Sequence, residues 1–260
     1  MLKVVITAPR GTMDSLIVQE AYRHDDILVI GCVGTPGREY IGEDAGLVSG
    51  VGHEIGAHVF SSIEDLTDDG EMLIEACDVV IDYSTVELSM GILQKCAEHG
   101  KAYLCGTTGF QAGQLEVFAK ASESIPIMRT ANTSFVVTVM KKLLREAAAY
   151  LEEKAGMEII EAHSDTKLDA PSGTAIELAE AMADGMKTKG YDDIAFHSVR
   201  AGNTPSSHHV LFGCQGEMFQ ITHDAYDWRC YAIGACDAAL FLGERLKAGE
   251  TGSYEMADLL

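Results

Sequence analysis

The sequence predicts an α/β protein built on a doubly wound parallel sheet, followed by a second domain with a mixed or antiparallel sheet. Three observations support this prediction. Strand-like and helix-like segments alternate as far as residue 132, and those strands are continuously apolar, which is typical of a sheet buried on both faces. Beyond residue 195, strand-like segments instead follow one another with turns and no helix between them.

The first βαβ unit begins at the N-terminus. Leu2–Thr7 is predicted to form a buried strand, Gly11 to open a helix, and Ile27–Val33 to form the next strand. The alternation continues with two further helices, at 86–100 and 114–124, and with three further strands: Cys77–Ser84, Ala102–Thr108 and Ile125–Asn132.

The second half has a different pattern. A long amphipathic helix, Phe135–Lys154, precedes a strand, Met157–Ser164, and a helix, Pro171–Met186, that Ser172 could cap. Three consecutive strands are then predicted at 195–202, 208–214 and 217–225. The last helix, 229–249, is compatible with a return to the first domain.

Composition narrows the classes of partner. The 260 residues carry 19 basic and 40 acidic side chains, a net charge of −21, which argues against nucleic acid and anionic membranes as partners. Seven scattered cysteines without a CxxC pair, and an N-terminus unlike a signal peptide, predict a cytoplasmic protein without a metal site. An anionic ligand would need a pocket with its own positive charge.

The loop after the first strand is a candidate nucleotide site. A dinucleotide fold favours glycines there, but Thr7–Ser15 supplies only Gly11, with Ala8 and Asp14 where two other glycines would stand. Arg10 and the helix N-terminus would favour phosphate. Asp14 either points inward and opposes that binding or lies on the helix surface. From these residues alone, nucleotide binding and its absence remain equal alternatives.

The end of the second strand bears on the choice of cofactor. Its tip, residues 34–37, contains no acid of the kind that binds the ribose of NAD, and Glu39 comes too late in the sequence to serve. Arg38 follows closely. Because it lacks an acid and has a nearby arginine, this tip would tolerate the 2′-phosphate of a cofactor better than the acidic strand end of an NAD site would.

The segment 161–175, "EAHSDTKLDAPSGTA", is a second candidate site. His163 could move a proton, while Lys167 and the start of the following helix could bind a carboxylate. The alternative is a capped surface loop in which Asp165 or Asp169 pairs with Lys167. Spacing alone leaves both interpretations open.

Several motifs along the whole chain resemble one family. The run "DAPSGTA" (169–175) is the most specific, and "GTTGF" (106–110), "ITH.A" (221–225), "PRGTM" (9–13) and "VRAG" (199–202) accompany it. Together they are similar to dihydrodipicolinate reductase, the enzyme of diaminopimelate and lysine synthesis that acts on 4-hydroxy-tetrahydrodipicolinate.

The resemblance implies a Rossmann-type dinucleotide-binding domain at 1–131 and 229–260. It also implies an α+β substrate-binding and oligomerisation domain at 132–228, with an open mixed sheet that builds a homotetramer. The implied reaction is hydride transfer from NADPH or NADH to a cyclic dicarboxylate imine, after loss of water.

The resemblance also implies roles for individual residues. His163 and Lys167 fall on the two proton-transferring positions. The substrate-binding positions are Ser164, Ser172, Gly173, Thr174 and Thr108. The cofactor-binding positions are Ala8, Pro9, Arg10, Gly11, Thr12, Met13, Gly106, Thr107, Thr108, Thr130, Ala131, Asn132 and Thr133.

Departures from the family pattern keep two alternatives open. The family usually reads His-His-Arg-His-Lys where this chain has His163-Ser164-Asp165-Thr166-Lys167, and an arginine where it has Trp228. Such losses would suit a paralogue that reduces a related cyclic imine or acid with fewer negative charges. Ala8 and Asp14 would suit a catalytically silent member that keeps the fold.

Overall fold

A seven-stranded parallel sheet organises the first of two structural units. The computed structural model describes all 260 residues; one unit comprises Met1–Thr133 with Arg229–Leu260, and the other comprises Ser134–Trp228. The strand order is β11-β6-β5-β4-β1-β2-β3. The strands are β1 Leu2–Thr7, β2 Ile27–Val33, β3 His58–Phe60, β4 Val79–Asp82, β5 Ala102–Cys105, β6 Pro126–Arg129 and β11 Gly252–Tyr254.

Helices cover both faces of this sheet. Alternate residues of β1 point to opposite faces, so that Val4 joins an apolar cluster with α1 and α8 while Val5 joins one with α3, α4 and α5. Because both faces are buried, the central strands are mainly apolar, as the sequence indicated, and polar residues such as Lys3, Asp82 and Arg129 lie near the strand ends. The helices are α1 Thr12–Arg23, α2 Ala45–Val48, α3 Leu73–Ala76, α4 Val86–His99, α5 Ala112–Ala121 and α8 Arg229–Lys247.

The second unit contains a four-stranded mixed sheet in the order β10-β9-β7-β8. Strands β7 and β8 are parallel, whereas β9 runs antiparallel to both β7 and β10. One face of the sheet packs against two helices that approach closely, since a Cβ on Gly185 would lie 2.2 Å from the carbonyl oxygen of Arg145. The elements are α6 Phe135–Leu151, β7 Gly156–His163, α7 Gly173–Gly185, β8 Ile194–Arg200, β9 Ser206–Cys214 and β10 Glu217–Ala225.

The predicted fold class is confirmed, with corrections to individual elements. Strands β4, β5 and β6 end two or three residues earlier than predicted, because the chain leaves the sheet there to form loops. The short elements α2, β3, α3 and β11 were not predicted, since three or four residues are too few to display a period. No helix is both long and apolar enough to cross a membrane.

Ala8 is the only residue other than glycine with a positive φ, at 44°. The left-handed region costs an L-residue about 1–2 kcal/mol, and glycine would remove this strain. Glycine also has more backbone freedom in the unfolded chain, which lowers the free energy of unfolding by about 0.5–1 kcal/mol. We therefore expect Ala8→Gly to raise the free energy of unfolding by about 0.5–1 kcal/mol, measured by urea denaturation.

Ala119→Gly provides the matched control. Ala119 is exposed on α5, where its backbone is helical and glycine has no strain to relieve. That variant should be destabilised by roughly 0.5–1 kcal/mol. Equal destabilisation of both variants would contradict strain at Ala8.

Candidate functional site

The end of β7 places a buried carboxylate and a histidine on the same face of the sheet. Glu161 and His163 are two residues apart, so their side chains point the same way. The Nδ1 atom of His163 lies 2.5 Å from Oε2 of Glu161. Because an ionised carboxylate can only accept, Nδ1 carries the proton and Nε2 remains for exchange with a ligand.

Arg200 neutralises this carboxylate. Parallel pairing of β7 with β8 sets Arg200 opposite His163, and its two terminal nitrogens donate to the two oxygens of Glu161 at 2.8 and 2.9 Å. The backbone N–H of Ser172 donates to Oε1 at 3.3 Å. Burial opposes ionisation of Glu161, but hydrogen bonds from Arg200, Ser198 and His163 outweigh it and lower the pKa to about 2.

His163 is held in its neutral form. Burial lowers the pKa of its ring below the ordinary value, and the raising effect of Glu161 does not reverse this. The nearby cations Lys167 and Arg200 lower it further. With 11% of its side chain exposed, His163 remains accessible to a ligand. The ring can therefore accept and return a proton at Nε2.

Two further histidines continue the row across the sheet. The His208 ring stands edge-on to that of His163 at 5.3 Å and lies 6.1 Å from that of His223. His208 is fully buried, its Nε2 lies 3.2 Å from Oγ of Ser172, and burial is the main cause that lowers its pKa to about 3. Nδ1 of His208 and Nδ1 of His223 are buried and have no hydrogen-bond partner within the chain.

The loop between β7 and α7 combines features of both interpretations that spacing left open. A turn closes when Lys167 N–H donates to the carbonyl of Ser164 at 3.2 Å. Lys167 Nζ then pairs with Asp169 at 2.8 Å. The predicted cap of α7 is confirmed, because Ser172 Oγ accepts the N–H of Ala175 at 3.2 Å. The space that a side chain on Gly173 would enter is open, so a ligand can approach this helix start.

In the first unit, the loop after β1 presents the start of α1 without a capping side chain. Gly11 is the N-cap residue, so the N-cap position offers no side-chain acceptor to the first turn. A Cβ on Gly11 would lie 2.5 Å from the Asp14 carboxylate and 3.1 Å from the carbonyl oxygen of Ala8, so the loop requires glycine here. The backbone N–H groups of Thr12 and Met13 at this helix start suit a phosphate.

Asp14 points inward, so its alternative placement on the helix surface is wrong. It is 1% exposed, and it accepts from the backbone N–H of Tyr83 at 3.3 Å and from Thr7 Oγ1 at 3.5 Å. Burial and then the neighbouring Asp82 raise the pKa of Asp14 well above its usual value. The neutral carboxyl is favoured, which limits negative charge beneath the loop.

Arg10 and Glu39 meet at the tip of β2. They form an ion pair at 2.9 Å, and the guanidinium of Arg10 lies 5.0 Å from the centre of the Tyr40 ring. Together with Gly37 and Arg38, these residues line a cavity of about 590 Å³. Glu39 thus lines this cavity, although its position in the sequence predicts that it comes too late to bind a ribose.

The remaining predicted cofactor residues follow β5 and β6 at the same edge of the sheet. A Cβ on Gly106 would lie 2.1 Å from the Tyr83 ring. Thr107 Oγ1 is buried without a hydrogen-bond partner in the chain. Thr133 accepts from the Tyr83 hydroxyl at 3.1 Å and donates to the carbonyl of Tyr231 at 2.7 Å. These residues and the β1 loop thus lie at the carboxyl ends of the strands, where open α/β sheets bind ligands.

Comparison with known proteins identifies the family. Residues 2–133 match the family described as "Dihydrodipicolinate reductase, N-terminus", and residues 136–260 match "Dihydrodipicolinate reductase, C-terminus". A Pseudomonas fluorescens protein named 4-hydroxy-tetrahydrodipicolinate reductase is 35% identical, over 100% of this chain and 99% of that protein. An Alkalilimnicola ehrlichii protein of the same name is 34% identical, over 99% and 98%. The chain belongs to the dihydrodipicolinate reductase family. Its relatives are reductases, so the predicted oxidoreductase class is confirmed.

Solved structures agree with this membership. The dipicolinate-bound dihydrodipicolinate reductase from Paenisporosarcina sp. TG-14 aligns over the whole of both chains with a TM-score of 0.78 and 25% identity. A probable dehydrogenase from Thermotoga maritima aligns over 99% of this chain and 92% of its own, with a TM-score of 0.64 and 10% identity, and shares the fold alone.

Sequence reasoning missed four residues of the second-unit cluster: Glu161, Arg200, His208 and His223. The available signal was strand alternation, since each is a polar residue at an inward position of its strand. Their register could not be read without the sheet order. In the first unit, Arg229 lies 3.7 Å from Glu20, so this arginine is engaged at the start of α8.

The raised pKa of Asp14 generates a prediction about stability. Below the pKa of an unfolded aspartate, both states hold the proton; above it, only the unfolded chain ionises, so the buried carboxyl costs stability as pH rises. We expect Asp14→Asn to become progressively more stable than the original chain from pH 4 to pH 8. The difference in free energy of unfolding should grow by about 1.4 kcal/mol for each unit by which the folded pKa of Asp14 exceeds its unfolded pKa. Urea denaturation across this range measures it.

Asp44→Asn is the opposing control. Backbone N–H groups of Ile55, Gly46 and Gly56 outweigh burial and lower the pKa of Asp44, whose stabilisation is therefore present at neutral pH and lost as pH falls. That variant should be less stable than the original chain at pH 7 and approach it at low pH. An Asp14→Asn profile that is flat or follows the control would contradict a neutral Asp14.

Proposed function

We propose that this chain reduces 4-hydroxy-tetrahydrodipicolinate to tetrahydrodipicolinate in diaminopimelate and lysine biosynthesis. One hydride from NADPH or NADH and one proton add to the substrate, water leaves, and the oxidised cofactor is released. The observation that carries the proposal is the arrangement at His163, with Nδ1 held by Glu161 and Nε2 without a partner in the chain. Membership of the family over the full length of the chain supports it.

The proposed cofactor site lies at the carboxyl end of the seven-stranded sheet. The start of α1, at Gly11, Thr12 and Met13, would hold the pyrophosphate, and the Thr107 hydroxyl is a buried group that still lacks a partner. The nicotinamide, when bound, supplies the hydride. We propose that both cofactors are accepted, since Arg10 and its neighbouring arginine suit a 2′-phosphate while the Glu39 carboxylate suits ribose hydroxyls.

In the second unit, Lys167 and the start of α7 at Ser172, Gly173 and Thr174 would bind the substrate carboxylates. The helix dipole and a positive side chain together offset the negative field of the chain. His163 would exchange the proton of the reaction at Nε2, with Lys167 as a second donor.

One observation favours a second candidate, a related cyclic imine or acid with fewer negative charges. Lys167 already pairs with Asp169, which reduces the positive charge offered to a dianion. Preferred turnover of a monocarboxylate cyclic imine over 4-hydroxy-tetrahydrodipicolinate would support this candidate.

Binding and turnover test the proposed function. We expect nicotinamide fluorescence to report binding of NADPH and NADH, and the condensation product of aspartate semialdehyde and pyruvate to be reduced. Loss of the proton-exchanging ring in His163→Ala should lower kcat about 100-fold or more, as expected for general acid–base catalysis, and leave cofactor Kd within about twofold.

His53→Ala is the control, because His53 is an exposed histidine of the first unit that contacts Tyr22. It should change neither quantity. Failure of both cofactors to bind would refute the proposed function, and equal losses of kcat and cofactor affinity in His163→Ala would contradict a proton-transfer role.

We also propose that the chain forms a homotetramer through the open face of its four-stranded sheet. The residues on this face alternate with the buried ones and include Ile160, Val199, Leu211 and Met218, of which Met218 is 63% exposed. Apolar side chains on an open sheet face are typical of a subunit interface.

Sedimentation equilibrium should give the mass of four chains. Because a charge at a buried apolar interface is costly, Met218→Glu should shift the mass to smaller species. Leu47→Glu, at an exposed position of the first unit, should leave the mass unchanged. A monomeric original chain would refute the tetramer.

A further inference from the structure

Glu161 is unexposed and saturated with hydrogen bonds, which separates its role from that of a substrate-contacting group. One oxygen accepts from His163 Nδ1 and Arg200, at 2.5 and 2.9 Å. The other accepts from Arg200 and the backbone of Ser172, at 2.8 and 3.3 Å. A carboxylate held through both oxygens cannot rotate, so it fixes the plane of the ring that it binds.

The same contacts fix which edge of His163 faces outward. The carboxylate can only accept, so it selects the tautomer that carries hydrogen on Nδ1. Nε2 has no hydrogen-bond partner in the chain. The ring therefore keeps its basic nitrogen for a ligand, as buried acids do for histidines in other enzymes.

Charges around His163 are balanced rather than one-sided. Glu161 on its own strand faces it with a negative charge, while Arg200 on β8 and Lys167 in the following turn face it with positive charges. His208 on β9 is the remaining titratable neighbour, and its pKa of about 3 keeps it neutral. Asp169 pairs with Lys167 and also accepts from Arg200 through its backbone carbonyl.

We propose that Glu161 is a positioning residue that orients His163 through Nδ1, and that Arg200 is the counter-charge that tempers the effect of Glu161 on the His163 proton. The proposal deepens the proposed function, on which its kinetic consequence rests. Without Arg200, the carboxylate would hold the imidazolium more strongly, so the ring would release its proton less readily. Without Glu161, the guanidinium would oppose protonation of His163. The ring would also be free to rotate, and both of its tautomers would be populated.

Opposite changes in the proton affinity of His163 distinguish this role from a structural one. We expect Glu161→Gln to lower the pKa of His163 by about one unit, and Arg200→Gln to raise it by a similar amount. Ring ¹⁵N NMR measures both, with the His163 signals assigned through their loss in His163→Gln. In the original chain, the neutral ring should show hydrogen on Nδ1; Glu161→Gln should give a mixture of tautomers.

Kinetics provide the second readout. In Glu161→Gln, kcat should fall about tenfold or more while KM for the cofactor stays within about twofold, and the pH limb of kcat should move in the same direction as the NMR pKa. Glu146→Gln is the control, since Glu146 is an exposed carboxylate of the second unit that lies on α6, away from the open face of the sheet. It should shift neither readout.

Several outcomes would overturn the proposal. Hydrogen on Nε2 in the original chain would do so without any variant, which covers the case in which Glu161→Gln or Arg200→Gln fails to fold. Shifts of the same sign in the two variants, or no shift in either, would also do so. Because the NMR titration needs neither cofactor nor substrate, absence of turnover with the expected tautomer and shifts would refute the proposed function alone.

Discussion

One buried carboxylate, Glu161, joins three segments of the second unit. It lies on β7, binds Arg200 of β8 through both oxygens, accepts from the backbone of Ser172 before α7, and holds the ring of His163. An unpaired charge in this position would be strongly destabilising, so the surrounding donors are required together. One side chain thus links two strands, the start of a helix and the orientation of a histidine.

The first unit meets a related constraint at its ligand-binding edge. Asp82, fully buried at the end of β4, accepts from Thr7, Tyr103 and Ser84. Its donors come from two other strands and from the loop that follows it. Asp14 stands beside it with a raised pKa, so the buried pair avoids two full negative charges. Two of the expected glycines are absent from the loop after β1. The loop nevertheless has a left-handed residue at Ala8 and an uncapped start of α1.

Local sequence signals worked best where one element decides the outcome. Apolar segments of strand-like and helix-like pattern predicted the alternation of the first unit. The Ser172 cap could be predicted because it involves residues that are three apart in the sequence. The motif around "DAPSGTA" pointed to the family. Those signals failed for Glu161 and Arg200, which are 39 residues apart and meet only because β7 and β8 pair in parallel.

By itself, the sequence determined the fold class, the family and the two segments in which the candidate sites lie. These follow from hydrophobic period and from short motifs, which are properties of neighbouring residues. Tertiary structure decided the inward position of Asp14, the meeting of Arg10 with Glu39 and the partner of His163. Each of these depends on burial or on pairing between distant strands, and therefore on free energies that exist only when the chain has folded.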